Sequence, residues 1–182
     1  MSLVLHKPVL LRTPLHKTGF PLLPLTEHPI VYVRQKPLNV HTTFEGVDLT
    51  RLKALLEASF GKTLVPKYFD APVNQVIIDP AYRAAAIVKL LGETPYLDKI
   101  AVDPMLQGTG LAGTLMTYLK LTYPLLTWRA THDNKANDWY TCVSEGTKVT
   151  ANWKIYQWGL TEGTFAQVVP VIDALPATMI KQ

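Results

Sequence analysis

The stretch TPYLDKIAVDPMLQGTGLAGTLMTYLKLTY, residues 94–123, constrains the fold more than any other part of the chain. Residues 95–103 read as a strand whose alternation is imperfect. Leu97, Lys99, Ala101 and Asp103 fall on one face, with Tyr96, Asp98, Ile100 and Val102 on the other. Residues 108–123 read as a helix with Leu111, Leu115, Tyr118, Leu119 and Thr122 on one side. Between them lies the glycine run QGTGLAG, residues 107–113. A strand that feeds a helix through glycines leaves the first helical N–H groups without partners, beside side chains too small to shield them. That is the chemistry of an anion site.

The flanking segments extend the pattern. VDLTRLKALLEASFG (47–61) places Leu49, Leu52, Leu55, Leu56 and Phe60 at helical spacing, with Asp48 as N-cap and Gly61 as stop. NQVIID (74–79) and AAAIVKLL (84–91) read as strands joined by a turn at Asp79-Pro80. LLTWRA (125–130) and WKIYQWGL (153–160) read as further strands, and KANDWYTCVSE (135–145) as a short helix. FAQVVPVIDAL (165–175) reads as a final helix, broken or begun near Pro170. This order predicts one mixed α/β domain, and 182 residues at 48% hydrophobic content suffice for its core.

Six of the 14 prolines fall in residues 1–37, which predicts an irregular arm or linker there and a domain over 38–182. Residues 1–26 lack acidic side chains, as transit peptides do, but Pro8, Pro14, Pro21 and Pro24 would interrupt an amphipathic helix. The net charge of +4 is mildly basic and not clustered, so neither nucleic acid nor membrane is expected as a partner. The lone Cys142 excludes an intrachain disulfide and reads as a helix residue packed in the core, not as a nucleophile.

Three phosphate-binding patterns compete for the glycines. Gly61-Lys62-Thr63 lacks the earlier glycine of a triphosphate loop, because Leu56 stands there. Gly108-x-Gly110-x-x-Gly113 matches a dinucleotide fingerprint, but the next strand carries Trp128 and Arg129 where an acidic residue is needed. Gln107-x-x-Gly110-x-Ala112 resembles the acyl-CoA loop of the GCN5-related N-acetyltransferase superfamily.

The resemblance then narrows. ASFGKTL (58–64), YRAAAI (82–87), residues 94–116, LTWRATHDNKANDWY (126–140) and NWKIYQWGL (152–160) are similar to the acetyltransferase domain of vertebrate-like N-acetylglutamate synthases and bifunctional synthase/kinases. The resemblance implies a mixed, mostly antiparallel sheet flanked by helices, with a splayed central strand at the acetyl-CoA site. It implies transfer of acetyl from acetyl-CoA to the α-amino group of L-glutamate, without a metal, inside the cell: in the cytoplasm of a bacterium or the mitochondrial matrix of a eukaryote. Lys62, Lys99, Arg129 and Asn134 match substrate-binding positions. Ile100, Ala101, Val102, Gln107, Gly108, Thr109, Gly110, Leu111 and Ala112 match the cofactor strand and loop. Tyr140 matches a tyrosine that protonates the departing thiolate; Asn134 is grouped with it as catalytic, and the general base is unassigned.

Two departures stand out. Thr131 replaces the second arginine of the family's W-R-x-R, and His132 beside it is a partial substitute at best. The family's upstream amino-acid-kinase domain has no room in 182 residues, so this is an excised domain or a stand-alone enzyme, without arginine feedback. A homo-oligomer is implied, as is a kinase domain or an acetylglutamate kinase as partner. A non-catalytic regulatory domain and an acetyltransferase for another small acidic amine remain alternative readings. Trp139, Trp153, Tyr156 and Trp158 read mainly as core.

Overall fold

The computed structural model describes residues 38–181. The arm expected over residues 1–37 lies outside the described residues. The elements run β1 (Asn39–His41), α1 (Leu49–Phe60), β2 (Thr63–Leu64), β3 (Gln75–Ile78), β4 (Ala84–Leu91), β5 (Thr94–Val102) and α2 (Leu111–Thr122). They continue as β6 (Leu126–Ala130), α3 (Asn137–Val143), β7 (Gly146–Val149), β8 (Lys154–Trp158), α4 (Glu162–Asp173) and β9 (Met179–Ile180).

Seven strands form one sheet in the order β1-β3-β4-β5-β6-β8-β7, and β2 pairs with β9 separately. Every pairing is antiparallel except β5 with β6. A parallel pair needs a crossover, and α2 supplies it. Both faces of the sheet are covered. Ala84, Ala86 and Val88 of β4 pack with Leu115, Met116 and Leu119 of α2. Ala85 and Ile87 pack with Leu52, Leu55 and Leu56 of α1. On α2, Met116 is buried and Thr122 exposed, so the apolar stripe is rotated slightly from the expected one.

Local chemistry explains the helix ends. Asp48 caps α1 by accepting the Arg51 N–H, and Gly61 ends it in the left-handed region at φ 59. The final helix is neither broken nor begun at Pro170. It starts at Glu162 under a Thr161 cap and runs through the proline. Pro170 cannot donate to the Ala166 carbonyl, but both residues are exposed, so water can take that acceptor. β1, β2, β7 and β9 were not anticipated; all are short, from two to four residues. Cys142 does lie in a helix, but it is exposed there rather than packed.

The expected faces of β5 need correction. Val88 pairs with Leu97 and Ile87 with Lys99, so Asp98 is an extra residue, a β-bulge. The bulge switches parity. Leu97 shares the α2 face with Ile100 and Val102, while Tyr96, Lys99 and Ala101 lie on the other.

One glycine is obligatory for packing. Gly159 has φ +73, and a Cβ there would meet the Pro124 carbonyl oxygen at 2.0 Å. Gly159→Ala is expected to cost at least about 2 kcal/mol, read as a lower denaturant midpoint at unchanged slope. No helix among the described residues is long and apolar enough to cross a membrane.

Candidate active site

β5 and β6 pair only at Tyr96–Thr127 and Leu97–Trp128. Beyond those positions the strands part, as the expected splay requires. Backbone alternation decides which peptide groups face the gap. Asp103 donates its N–H to the Arg83 carbonyl, toward β4. In an antiparallel ladder Ala101 therefore also turns to β4, while Ile100 and Val102 turn outward. The Val102 N–H is taken by Ser59 Oγ at 3.2 Å. The Ile100 N–H faces the gap, with no acceptor found among the described residues.

After β5 a 3₁₀ turn, Pro104–Leu106, leads to the exposed glycine run. Thr109 closes this loop by donating N–H and hydroxyl to the Leu106 carbonyl. Gly108 and Gly110 have φ values of +83 and +87, and nothing lies within 4 Å of a Cβ added at either. Gly110 is the N-cap of α2 and carries no side chain to cap it. The first helical bond runs from Thr114 N–H to the Gly110 carbonyl, so the Leu111, Ala112 and Gly113 N–H groups precede the ladder. An exposed turn of uncommitted N–H donors at a helix start fits a pyrophosphate, and the gap beside Ile100 fits an extended arm. Gln107 is exposed at the head of this loop.

On the α1 and α4 face a cavity of about 110 Å³ opens beneath the split. Lys62, Lys99, Arg129 and Asn134 all line it, as do Asp98 and Thr131. Lys62 follows the Gly61 turn, where its N–H and that of Gly61 both donate to the Glu57 carbonyl. No salt bridge is found for Lys62 among the described residues, and its charge is one of the lesser influences, after the Thr131 hydrogen bond, that hold the exposed Asp133 carboxyl below its ordinary value. Lys99 is buried, and its ammonium meets Asp98 Oδ2 at 3.2 Å, the Asp98 carbonyl at 3.1 Å and Thr178 Oγ1 at 2.5 Å. Arg129 donates to the carbonyls of Ile172, Leu175 and Pro176 at 2.7–2.9 Å and stacks on Trp153 at 3.9 Å. It thus holds the end of α4 as well as lining the cavity. Trp153 packs against the core beside Tyr96, Ile155, Phe165 and Ile172 and also walls the cavity. Asn134 accepts the Ala136 N–H on its side-chain oxygen, which fixes the turn from β6 into α3. His132 is exposed and contacts Ala151, so it does not replace the missing arginine.

Tyr140 is not brought into that cavity. It is 7% exposed on the α2 and α3 face, in the cluster containing Ile100, Leu111 and Ala112. Its ring lies 5.9 Å from Trp128 and 5.5 Å from Tyr156. Burial, with a smaller contribution from Tyr156, pushes its pKa up to about 12, so it is a protonated phenol at neutral pH.

Asp98, its partner Tyr68, and Thr178 were missed as candidates from sequence. The uneven alternation of residues 95–103 was the one visible sign of the bulge that brings Asp98 into the cavity. Burial works to raise the Asp98 pKa, but Lys99, Lys89 and the Tyr68 hydroxyl together hold it below the ordinary carboxylate value. Asp79 is also held low, first by its hydrogen bonds from Arg83. Depressed carboxylate pKa values contribute stability that is complete above the unfolded value and lost as pH falls through the folded one. Thermal stability should therefore fall steeply below about pH 4, and a circular-dichroism melt across pH 2–7 that stayed flat would contradict these ion pairs.

The parallel split, crossover helix and glycine loop define the fold of the GCN5-related N-acetyltransferases. Residues 39–175 match the family NAT, N-acetyltransferase, of N-acetylglutamate synthase, and the chain belongs to that family. A protein named acetylglutamate kinase from Xylella fastidiosa is 41% identical over 120 residues, covering 65% of this chain and 28% of the relative. The mitochondrial N-acetylglutamate synthase of Danio rerio is 31% identical over 132 residues, covering 69% and 25%. The chain thus spans about a quarter of the length of these relatives. N-acetylglutamate synthase of Neisseria gonorrhoeae, solved with coenzyme A and N-acetyl-glutamate, superposes with TM-score 0.53 at 14% identity, covering 69% of this chain and 35% of that one.

Proposed function

We propose that residues 38–182 are a catalytic domain that transfers acetyl from acetyl-CoA to the α-amino group of L-glutamate. The observation that carries this reading is the charge balance of the cavity. Three cations, Lys62, Lys99 and Arg129, face one carboxylate, Asp98. The surplus of two positive charges suits a ligand with two carboxylates and opposes a polyamine. Acetyl-CoA would supply an acetyl group already activated as a thioester. The N–H groups of Gly108, Gly110, Leu111 and Ala112 hold its pyrophosphate, with Gln107 beside them. The Ile100 N–H donates to the carbonyl oxygen as negative charge develops there. The acceptor amine, after losing one proton to water, attacks the thioester carbon; Tyr140 donates its proton to the sulfur as the C–S bond breaks and is reprotonated, through water, by the proton the new amide nitrogen releases. Lys62 and Arg129 hold the acceptor carboxylates from below. Thr131 leaves that hold one cation short of the family pattern, which predicts weaker acceptor binding rather than a different reaction.

The same reading places the arm-to-domain boundary near Pro37 and an acetylglutamate-kinase-type domain as partner, since the Xylella fastidiosa relative carries this module within a longer chain. Its compartment follows the host, the mitochondrial matrix in a eukaryote and the cytoplasm in a bacterium.

An acceptor screen tests the substrate. L-Glutamate, L-aspartate, L-glutamine and spermidine are offered separately with acetyl-CoA, and acetylated product is measured by mass spectrometry. Glutamate should lead; a preference for spermidine would remove the reading. Lys62→Met should raise the KM for glutamate about tenfold with little change in melting temperature, because Lys62 makes a charge-assisted contact to substrate and, among the described residues, only a solvent-screened interaction with the exposed Asp133. Steady-state kinetics at saturating acetyl-CoA measures it.

A further inference from the structure

The acidic residue in the cavity is unevenly used. The Asp98 side chain is 8% exposed, yet its hydrogen bond and its nearest ammonium contacts found among the described residues all fall on one oxygen. Oδ2 accepts the Tyr68 hydroxyl and meets Lys89 Nζ and Lys99 Nζ, each at 3.2 Å. Both ammonium groups also sit over the Tyr68 ring, at 4.5 and 5.2 Å. Oδ1 accepts no hydrogen bond found among the described residues. Among the described residues, the side-chain polar atoms sealed from solvent without a partner are Gln75 Oε1 and Trp128 Nε1. Asp98 Oδ1 is not one of them, and Asp98 lines the cavity, so Oδ1 opens into it.

The position of this oxygen matters as much as its freedom. Leu97 is the last residue of β5 paired to β6, and Asp98 is the bulge that follows it. Oδ1 therefore belongs to the residue at which the strands part, two residues before Ile100. The charged groups around the rest of the cavity, Lys62, Lys99 and Arg129, are donors, and Asp98 is the carboxylate among its lining residues. A ligand carrying only carboxylates would satisfy those donors and leave an anion facing Oδ1. A ligand that also carries an amino group places N–H donors on it.

We infer that Asp98 Oδ1 is the subsite for the acceptor's amino group, so that the cavity selects an amino dicarboxylate over a plain dicarboxylate and holds the amine at the strand split. This rests on the glutamate reading above and adds the residue that orients the nucleophile. Lys89, Lys99 and Tyr68 act behind it, keeping the carboxylate ionised and turned outward. The depressed Asp98 pKa agrees with a role as charge partner rather than as proton store.

The test compares L-glutamate with glutarate, which lacks the amino group, by calorimetry on the CoA-bound chain, where no turnover occurs. Glutamate should bind about tenfold or more tighter, and Asp98→Asn should bring the ratio close to one. A wild-type ratio near one, or an unchanged ratio in a folded Asp98→Asn protein, overturns the inference while leaving a dicarboxylate site intact. If neither ligand binds and CoA still does, the glutamate reading itself falls. Should Asp98→Asn fail to fold, carbon-13 NMR of the wild-type Asp98 carboxyl decides. A shift with glutamate but not glutarate supports the assignment, and equal responses overturn it.

Discussion

Replacing Tyr140 by phenylalanine should lower kcat by about 100-fold while changing the KM for acetyl-CoA only slightly, as removal of a proton donor does. The change deletes one oxygen from a ring packed against Trp128, Trp139 and Tyr156, and those ring contacts survive it. No hydrogen-bond partner for the hydroxyl is found among the described residues, so its loss leaves nothing buried and unpaired. Stability should therefore hold, separating a chemical role from a packing role. The raised pKa sets the pH dependence. A phenol near 12 stays protonated throughout the neutral range, so its deprotonation should not limit the rate below about pH 11. An unchanged kcat in Tyr140→Phe would leave the phenol as core alone.

Arg129→Met should destabilise the domain by about 1.5–3 kcal/mol and abolish saturable acceptor kinetics, as loss of charge-assisted hydrogen bonds from a half-buried guanidinium does. Three carbonyls at the end of α4 accept from this guanidinium, and Trp153 lies beneath it. Methionine keeps the stem but strands those carbonyls. It also removes one of the cations lining the cavity and loosens residues 177–179, which form part of the same wall. Arg129→Lys restores charge but not the fork, and a single ammonium cannot match that geometry. The lysine variant should bind glutamate measurably while still melting several degrees early. Full stability in the methionine variant would mean that the α4 contacts contribute little.

Local signals were legible and pairing-dependent ones were not. Asp48 and Gly61 bound α1 because a cap and a left-handed stop act within a few residues. The glycine run was legible for the same reason, since Gly108 and Gly110 are required by their own φ values. Lys62, Lys99, Arg129 and Asn134 were picked by resemblance, and the fold does bring them to one cavity. Their partners were invisible. Arg129 spends donors on carbonyls 43 to 47 positions away, and Lys99 meets Thr178, 79 positions away. The Asp98 bulge exists only in register with β4, so the strand's own pattern showed an irregularity without its cause. Two-residue β2 and β9 carry no periodicity at all and form because they meet each other.

The alternative of a regulatory domain predicts cofactor binding without turnover, and that contrast supplies the decisive measurement. The purified 182-residue chain is given acetyl-CoA, and free thiol and N-acetylglutamate are followed as L-glutamate is raised. Saturable thiol release, matched mole for mole by N-acetylglutamate, is the predicted result. Bound acetyl-CoA with no thiol release above the glutamate-free rate would contradict it.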